Sequence, residues 1–416
     1  MLKGYDMLRG YLLGEHLSHS FSPSIHAMLS DYSYGIKEIA PSDLEMFMKD
    51  SDFDFLNVTI PYKKQIISYL SSLSEEAKTI GAVNTVKKMP DGSLVGFNTD
   101  YFGFELLLKK SGIDVADKKI LVLGSGGASM PVKAVLEAHL AKEIVVISRH
   151  GDNNYKNLFL HKDADVIINT TPVGMYPDNG QAPLSLEMFE KLSGVIDIIY
   201  NPAYTQLLLD AESKGIPNIG GLYMLVAQAK KAAEIFTGCM IDDTVIDTIC
   251  KDIEAKTKNI VLIGMPGCGK STVGKLLAQN LGRKFYDTDE VFFDIFGVTP
   301  AEVITADGED KFRVMENEVI NVLGKLSGAV IATGGGVVTR EENYSDLHQN
   351  GVVFFIDRDI KNLPTKNRPL SKSVGLDALY NTRYPMYMRF CDHKIVSNEI
   401  IQDTVNEIIR LMMEGK

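Results

Sequence analysis

Short apolar runs alternate with stretches of helical periodicity from about residue 120 onward. The runs are rich in β-branched residues, are bounded by Gly or Asn, and lie at residues 120–123, 144–147, 166–169 and 195–199. Strands that alternate with helices build parallel sheets covered by helices on both faces. The pattern therefore predicts an α/β fold, with a helix over residues 222–236.

A second series of the same kind follows the polar stretch KDIEAKTK at residues 251–258. Its apolar runs lie at residues 259–263, 284–286, 329–332 and 352–356. A polar segment between two such series is typical of a domain boundary. We therefore expect one domain at residues 1–255 and a second at residues 256–416.

Composition narrows the class of protein. The chain has 416 residues, 45% of them hydrophobic and 23% charged, which fits two or three globular domains. The net charge of −11 argues against nucleic acid or an anionic membrane as a partner. No run approaches the ~18 apolar residues of a membrane helix, and the N-terminal segment lacks the apolar core of a signal peptide. We expect a cytoplasmic protein that binds small molecules.

The four cysteines give no sign of a structural cross-link. They are scattered without a C-x-x-C pair, so neither a zinc site nor a disulfide framework is indicated. The cysteines are Cys239, Cys250, Cys268 and Cys391.

A strand, a Gly-rich turn and a helix follow one another in KKILVLGSGGASMPVKAVLEA. Backbone N–H groups at such a helix start, together with the helix dipole, suit a pyrophosphate. Ser129 stands where the dinucleotide fingerprint has its third Gly. After the next strand, Arg149 follows Ser148 in place of the usual acidic residue, which favours NADP over NAD. The alternative for Arg149 is a solvated surface charge.

A second Gly-rich loop has the P-loop pattern G-x-x-x-x-G-K-S, from Gly264 to Ser271, between a strand and a helix. In such loops the backbone cradles phosphates, Lys270 reaches the transferred group and Ser271 binds Mg²⁺. No N-K-x-D motif is present, which argues against a signalling GTPase. The expected ATP-binding residues are Gly264, Gly267, Cys268, Gly269, Lys270, Ser271 and Thr272.

Seven segments together resemble the shikimate dehydrogenase family over nearly all of residues 8–240. They are HSFSPSIH, NVTIPYK, GAVNT, FNTD, NTTPVGM, DIIYNP and GLYMLVAQA. The resemblance implies a substrate-binding lobe at residues 1–100 and 218–250 and a Rossmann NADP-binding lobe at residues 101–217. The chain between Arg149 and Val166 is shorter than the family usually shows, so this nucleotide-binding lobe is trimmed.

The resemblance also implies roles for individual residues. Lys63 and Asp100 correspond to the catalytic pair, and Ser20 and Ser22 to the contacts of the substrate carboxylate. The residues implied for the ring hydroxyls are Asn57, Thr59, Asn84 and Gln228, with Tyr200 nearby. Those implied for NADP(H) are Gly124, Ser125, Gly126, Gly127, Ala128, Ser148, Arg149, Gly221 and Met224.

Each of these roles has a plainer alternative. Ser22 and Asp100 could cap the helices that follow them. Lys63 beside Lys64 could be a solvated pair, and the two asparagines could simply close turns. Several independent motifs in the family's order favour the site over these alternatives.

Five further segments resemble the shikimate kinase family over residues 258–410: YDTD, FR, TGGG, NRPL and RYPMY. The resemblance implies that Asp287 assists Mg²⁺, Asp289 acts as the base, and Arg313 and Arg383 clamp the substrate carboxylate. It also implies a close approach of the glycine backbone to the ring and a lid arginine that closes over the phosphates. These residues are Gly334, Gly335, Gly336 and Arg368. In isolation, Arg313 could be a surface ion pair and Asp287 a turn former.

The combined interpretation is a bifunctional enzyme. A shikimate dehydrogenase-like half would interconvert 3-dehydroshikimate and shikimate with NADP(H), and a P-loop kinase half would phosphorylate shikimate with ATP and Mg²⁺. One alternative is a dehydrogenase for quinate or another cyclic hydroxy acid, fused to a different small-molecule kinase. Another makes one half a non-catalytic binding module. Monomer and homodimer both remain open.

Overall fold

The computed structural model describes residues 7–17, 20–50, 52–363, 375–397 and 400–414. The chain divides into two compact units. The first comprises Met1–Val173, Ala182–Tyr200 and Asp210–Cys250. The second comprises Lys251–Lys416 together with two short earlier segments, Gly174–Gln181 and Asn201–Leu209, which the sequence analysis had assigned to the nucleotide-binding lobe.

The first sheet belongs to the N-terminal part of the first unit. Its strands lie in the order β2-β1-β3-β5-β6-β4, antiparallel between β3 and β5 and between β5 and β6. The strands are β1 Arg9–Gly14, β2 Ser33–Glu38, β3 Phe55–Val58, β4 Ser72–Leu73, β5 Thr85–Lys88 and β6 Leu94–Phe97, and the helices are α1 Ser22–Leu29, α2 Leu44–Asp50 and α3 Glu75–Ile80. Leu13, Leu56 and Val86 are buried in its core. Burial of such side chains drives the packing of helices on this sheet.

The second sheet is parallel, with the order β11-β10-β9-β7-β8. Its strands are β7 Lys119–Leu123, β8 Glu143–Ile147, β9 Val166–Asn169, β10 Gly194–Asp197 and β11 Asn218–Ile219. The accompanying helices are α4 Asp100–Ser111, α5 Ser129–Ala138, α6 Gln206–Ser213, α7 Leu222–Thr237 and α8 Thr244–Thr257. The strands predicted from the apolar runs are confirmed, although the last ends at Asp197 and not at Ile199. The polar stretch at the predicted domain boundary lies largely within α8.

The connection from β8 to β9 is short. Residues 148–165 are all described, and they contain a 3₁₀ turn at Leu158–His161 but no strand. Hydrogen bonds within the connection fold it back on itself, including Gly151 N to Ser148 Oγ (2.9 Å) and Ser148 N to Asn153 O (3.1 Å). The sheet therefore ends at β8 on this side.

The third sheet is parallel, in the order β13-β14-β12-β15-β16. Its strands are β12 Asn259–Ile263, β13 Phe285–Asp287, β14 Val330–Ala332, β15 Gly351–Asp357 and β16 His393–Val396. Its helices are α9 Lys270–Leu281, α10 Thr288–Phe296, α11 Pro300–Asp307, α12 Glu309–Gly324, α13 Glu342–His348, α14 Leu376–Phe390 and α15 Ile401–Glu414. Every residue of β12 is buried, as expected for a central strand covered on both faces. In the described ranges, no helix is both long and apolar enough to cross a membrane.

Candidate active sites

Lys63 and Asp100 form a close ion pair in the first unit. Lys63 lies in the turn after β3, Asp100 is the first residue of α4, and Lys63 Nζ is 2.6 Å from Asp100 Oδ2. Their side chains are 18% and 11% exposed, whereas Lys64 is exposed. The helix cap position belongs to Thr99, so the capping alternative for Asp100 is wrong. A partly buried Lys–carboxylate pair of this kind can exchange a proton with a substrate oxygen.

A network of amides and hydroxyls lies beside this pair. Asn84 Nδ2 donates to Thr99 Oγ1 (3.0 Å), and the Thr99 backbone N–H donates to Asn84 Oδ1 (2.8 Å). Thr99 Oγ1 also lies 3.4 Å from Gln228 Oε1. Asn57 Nδ2 donates to Thr85 Oγ1 (3.2 Å), and Thr85 Oγ1 donates to Asn84 Oδ1 (3.0 Å). Three predicted hydroxyl-binding residues, Asn57, Asn84 and Gln228, are thus joined in one network, in which Gln228 is partly buried.

Thr85 and Thr99 were not singled out by the sequence analysis. Both are buried, and both lie inside quoted segments, in GAVNT and FNTD. The signal that could have found them is adjacency, since each follows an asparagine in a segment already assigned to the site. The predicted residue Thr59 follows β3 directly and donates its N–H to Leu13 O (2.9 Å).

The two predicted carboxylate-binding serines contact each other. Ser20 Oγ donates to Ser22 Oγ (3.1 Å), and the Ser22 N–H donates to Ser20 Oγ (3.2 Å). Helix α1 begins at Ser22 with Phe21 in the cap position, so the capping alternative for Ser22 is also wrong. The Phe21 ring lies 5.6 Å from the ring of Tyr200, which brings Tyr200 alongside the serines. Burial raises the pKa of Tyr200, so its hydroxyl stays protonated at neutral pH.

The dinucleotide turn follows β7. Gly124 has φ +100, and a Cβ there would meet Thr170 Oγ1 at 3.0 Å. A Cβ at Gly126 or Gly127 would face open space, so their backbone can be approached closely. Ser129 Oγ donates to Gly126 O (2.7 Å), which shows what the serine does in place of the third glycine. Ser125 lies in the same turn, and Ala128 occupies the cap position of α5. The turn and the start of the helix together fit the pyrophosphate of NADP(H).

The remaining predicted NADP contacts are in different environments. Arg149 is exposed. Burial raises the pKa of Tyr155, and the charge of Arg149 opposes that rise. Ser148 Oγ accepts the N–H of Gly151. Gly221 precedes α7, and a Cβ there would overlap the carbonyl of Ile198, so close packing alone requires glycine. Met224, one turn further along α7, is buried. Direct contact of Gly221 and Met224 with the cofactor remains a prediction.

The P-loop follows β12 in the second unit. Gly264, Gly267 and Gly269 have φ values of +142, +86 and +106, which favour glycine. Lys270 Nζ donates to Gly264 O (2.8 Å) and Met265 O (3.1 Å). Cys268 is buried inside the loop, and Thr272 is exposed in the first turn of α9. The glycine conformations and the helix start fit the phosphates of ATP.

Ser271, in the first turn of α9, contacts Asp287 at the end of β13. Ser271 Oγ donates to Asp287 Oδ2 (2.6 Å), and Asp287 also caps α10 by accepting the N–H of Asp289 (3.1 Å). Among the described residues, no cluster of three or more His, Cys, Asp or Glu side chains suits a metal ion. Mg²⁺ needs only one or two protein ligands when phosphate oxygens and water complete its shell, so the Ser271–Asp287 pair fits Mg²⁺.

Asp289 has the altered acidity expected of a base. Burial raises its pKa, as does the charge of Asp287, while Lys270 and Arg313 oppose the rise. A carboxylate with a raised pKa accepts a proton more readily than an exposed one does. Asp289 Oδ1 also lies 3.7 Å from where a Cβ of Gly334 would be, which brings it beside the glycine segment.

Arg313 and Arg383 are both buried, each 5% exposed, so the surface alternative for Arg313 is wrong. Arg313 pairs with Glu316 (Nη1–Oε2, 2.6 Å) and with Glu309 (Nη2–Oε1, 2.7 Å). Arg383 Nη2 lies 3.9 Å from the same Glu309 oxygen. Two guanidinium groups therefore meet at one point, as a carboxylate clamp requires.

Glu316 was missed by the sequence analysis. Burial raises its pKa, and its Oε1 has no hydrogen-bond partner among the described residues. The available signal was its position three residues after Arg313 on a helix, where opposite charges meet.

The three glycines after β14 lie close to other groups of the site. A Cβ at Gly334 would meet Glu316 Oε1 at 2.6 Å, one at Gly335 would meet Pro266 at 2.6 Å, and one at Gly336 would overlap Arg313. The Gly334 N–H donates to Thr288 Oγ1 (2.9 Å). The Gly335 carbonyl accepts from Arg383 Nη1 (3.0 Å) and from the Tyr387 hydroxyl.

Arg368, the predicted lid residue, lies outside the described residues.

Comparison with known families supports both halves. A model of the shikimate dehydrogenase substrate binding domain matches residues 12–86, and a shikimate kinase model matches residues 266–413. Shikimate dehydrogenase (NADP(+)) from Clostridium perfringens (strain SM101 / Type A) is 35% identical over 266 residues, covering 59% of this chain and 98% of that protein. The enzyme of the same name from Caldicellulosiruptor bescii is 39% identical over 260 residues, covering 55% and 89%.

Solved structures agree with these sequence matches. A chorismate mutase/shikimate 5-dehydrogenase fusion protein from Clostridium acetobutylicum matches with a TM-score of 0.57 and 36% identity, over 60% of this chain and 98% of that one. Shikimate 5-dehydrogenase from Thermus thermophilus, solved with NADP(H) and shikimate, matches with a TM-score of 0.54 and 33% identity, over 59% and 99%.

The predicted α/β fold class and both family assignments are thereby confirmed. The chain belongs to the shikimate dehydrogenase family and carries a shikimate kinase domain in its C-terminal part, which together make a bifunctional enzyme of the shikimate pathway.

Proposed function

We propose that the N-terminal domain, residues 1–255, reduces 3-dehydroshikimate to shikimate through Lys63 and Asp100. The observation that carries this proposal is the 2.6 Å ion pair between them, next to the network of Asn84 and Thr99. NADPH, when bound, supplies the hydride. Lys63 donates a proton to the carbonyl oxygen as the hydride arrives, and Asp100 holds the ammonium group in position. In the reverse direction Lys63, after losing that proton, takes one from the hydroxyl.

Substrate orientation in this domain is proposed to come from the neutral polar groups. Ser20 and Ser22 would hold the carboxylate through hydroxyl donors. The amides of Asn57, Asn84 and Gln228 would hold ring hydroxyls, because an amide offers both a donor and an acceptor. The fixed hydrogen bonds within the network support this proposal, since groups held in advance lose less entropy on binding.

The C-terminal domain, residues 256–416, is proposed to phosphorylate the shikimate that the first domain makes. Asp289 accepts the proton of the attacking hydroxyl, and its raised pKa supports that role. Arg313 and Arg383 bind the ring carboxylate, supported by their shared approach to Glu309. Lys270 stabilises the charge on the transferred phosphoryl group, and Ser271 with Asp287 would hold Mg²⁺.

A coupled assay tests both halves together. We expect unmodified protein given 3-dehydroshikimate, NADPH and Mg-ATP to oxidise NADPH and to form ADP in equal amounts. Lys63→Ala should lose the NADPH signal but still form ADP from added shikimate. Asp289→Ala should do the reverse, so each variant is the control for the other. NADPH oxidation without ADP formation in the unmodified protein would contradict the kinase assignment.

We further propose that the protein works in the cytoplasm with small-molecule partners alone, since NADPH and ATP are supplied there. The net charge of −11 supports the exclusion of nucleic acid, because a phosphate backbone would be repelled. Cell fractionation followed by immunodetection tests the location. Recovery of the protein with the membrane fraction would contradict it.

A further inference from the structure

The hydroxyl of Tyr34 lies between two groups of predicted substrate-binding residues. Tyr34 is in β2, and its hydroxyl donates to Asn57 Oδ1 at 2.8 Å. It also shares a side-chain hydrogen bond with Ser22, whose own hydroxyl accepts from Ser20. A single phenol therefore connects the serines of the carboxylate site to an asparagine of the ring-hydroxyl site.

The Tyr34 ring is held by a stack of aromatic groups behind the site. It lies parallel to His26, with 3.9 Å between ring centroids and 12° between planes. His26 is buried, and its Nδ1 is 2.6 Å from the hydroxyl of Tyr32. Tyr32 in turn packs against Phe55 and Phe236. The position of the Tyr34 hydroxyl is thus set by packing and does not depend on the substrate.

The groups in this stack stay uncharged at neutral pH. Burial lowers the pKa of His26 to about 3, so the imidazole is neutral. Burial also raises the pKa of Tyr34 well above its ordinary value, so its hydroxyl keeps the proton that it donates to Asn57.

The contacts of Asn57 determine which way its amide faces. Its oxygen accepts from Tyr34, and its nitrogen donates to Thr85 Oγ1 at 3.2 Å. The His26 side chain also contacts Asn57. Without the Tyr34 hydroxyl, the amide oxygen loses its donor at 2.8 Å, and the energy difference between the two amide orientations shrinks. A turned amide would offer a ring hydroxyl the opposite hydrogen-bonding partner.

We propose that Tyr34 is a positioning residue of the dehydrogenase, whose hydroxyl fixes the Asn57 amide and the Ser22 hydroxyl in the orientation that binds the substrate ring. This inference rests on the proposed function, since it takes Asn57 and Ser22 as substrate contacts. Tyr34 itself holds the binding groups and takes no part in hydride or proton transfer.

Two tyrosine-to-phenylalanine changes two residues apart on the chain provide the test. Tyr34→Phe removes the hydroxyl that bonds Asn57, and the matched control Tyr32→Phe removes one that bonds His26, while both keep the ring packing. Isothermal titration of shikimate into the full-length protein, with Arg383→Ala present in every sample to remove binding at the kinase clamp, gives the Kd of the dehydrogenase site without any turnover. We expect Tyr34→Phe to raise the shikimate Kd about tenfold, the effect of one lost hydrogen bond, and Tyr32→Phe to change it less than about twofold.

Kinetics of the same variants separate positioning from general damage. Tyr34→Phe should raise the KM of the ketone substrate about as much as the Kd of shikimate, with the KM of NADPH unchanged and kcat lowered less than about threefold. The double variant Tyr34→Phe with Asn57→Ala should have a shikimate Kd only slightly higher than that of Asn57→Ala alone. The reason is that Tyr34 acts mainly through Asn57 and only in part through Ser22.

The proposal is overturned if Tyr34→Phe leaves Kd within about twofold, if Tyr32→Phe weakens binding equally, or if the effects of the Tyr34 and Asn57 changes multiply in full. Failure of the proposed function has a different signature. It would appear as no oxidation of NADPH by the unmodified protein, whatever the Kd values of the variants.

Discussion

Lys63 and Lys64 are consecutive in the chain, yet their side chains lie in different environments. Lys63 is held by Asp100, while Lys64 is exposed to solvent. Replacing each lysine by alanine therefore compares two variants that lose the same charge at neighbouring positions of the chain. Only the environment of the ammonium group differs.

Replacing Lys63 by alanine should slow the turnover of the ketone substrate by about 10²–10⁴-fold, the usual contribution of a general acid–base group. The Kd for shikimate should change far less, because other groups hold the ring. Steady-state kinetics measures the first effect. Titration of shikimate measures the second, with Arg383→Ala present in every sample to remove binding at the kinase clamp. Lys64→Ala, the control, should keep near-normal values of both. Near-normal turnover in Lys63→Ala would remove Lys63 from the mechanism.

Asp289 should give the kinase reaction a characteristic dependence on pH. The carboxylate is active when it is deprotonated, and burial raises its pKa above the ordinary value of 3.8. Activity should therefore fall as the pH drops through this raised pKa, at a higher pH than an exposed aspartate would cause. The pH at which activity falls is measured from the pH profile of kcat/KM for shikimate at saturating Mg-ATP. Circular dichroism at the lowest pH values checks that the protein is still folded.

Asp289→Ala completes this test by removing the group. Phosphoryl transfer should be lost, whereas the Kd for Mg-ATP should stay within about threefold, since the P-loop binds the phosphates. Retained phosphoryl transfer would contradict the role of Asp289 as base.

Arg149 should determine the preference between the two dinucleotides. A charge-assisted bond to the 2′-phosphate contributes about 1.5–3 kcal/mol, so Arg149→Ala should raise the Kd for NADPH roughly 10- to 100-fold and leave that for NADH nearly unchanged. His150→Ala, at the next exposed position, is the control. Equal losses for the two cofactors would mean that Arg149 does not recognise the 2′-phosphate.

Among the elements, α13 carries a carboxylate whose ionisation opposes folding. Burial raises the pKa of Asp346 to about 6, although Asn321 Nδ2 donates to its Oδ1 at 2.9 Å. The folded protein therefore binds this proton more tightly than the unfolded chain does. Stability should decline as the pH rises from about 4 through about 6, because the charged form is disfavoured in the folded state.

Asp346→Asn should stabilise the protein at pH 7, because the amide keeps an acceptor for Asn321 and carries no charge. We expect a gain on the order of 1 kcal/mol, discounted for the partial exposure of the site. The gain should vanish near pH 4, where aspartate is protonated in the fold. Urea unfolding at both pH values measures it, with the exposed Asp377→Asn as control. A gain of equal size at pH 4 would contradict an origin in charge.

The strands were predictable from the sequence because each is a short apolar run between breakers, and that signal is local. The two Gly-rich turns were equally local, since strand, turn and helix are consecutive. The starts of α1 and α4 were harder, because Ser22 and Asp100 resemble cap residues yet are the first residues of their helices. Their side chains have tertiary partners that a local pattern does not reveal.

Contacts distant in sequence could be inferred only through family resemblance. Lys63 and Asp100 are 37 residues apart in the sequence. Arg313, on α12, contacts the glycine segment that follows β14. The spacing of these residues in the sequence does not predict such contacts, because the contacts depend on the order of the strands in the sheet. The supporting residues Thr99 and Glu316 are a different case, because each lies close in sequence to a site residue or segment and could have been found from that spacing.

At the scale of the whole molecule, each half has its own set of reactive groups, so the two activities should be separable. A mixture of the Lys63→Ala and Asp289→Ala proteins should convert 3-dehydroshikimate to shikimate 3-phosphate, because shikimate released by one protein can be used by the other. Phosphate ester formed over time, measured by chromatography, tests this. The control is each variant alone, which should form at least about 100-fold less phosphate ester than the mixture. Failure of the mixture would mean that shikimate does not leave the protein that makes it.

The overall charge and the local charges act in opposite directions. The chain has a net charge of −11, yet the two arginines of the proposed carboxylate clamp, Arg313 and Arg383, are buried. An acidic protein can bind anionic substrates because interactions at contact distance outweigh a repulsion that salt screens over about 10 Å.

The meeting of both arginines at Glu309 affects how selective the clamp is. If the proposed clamp binds the substrate, an entering carboxylate would replace Glu309, and its net gain would be the difference between two similar attractions. A neutral analogue has no anion to exchange for Glu309 and would leave it in place. The proposed clamp would thus select ligands by whether they can displace Glu309 from the two arginines. This selection would not require tight binding of the carboxylated substrate.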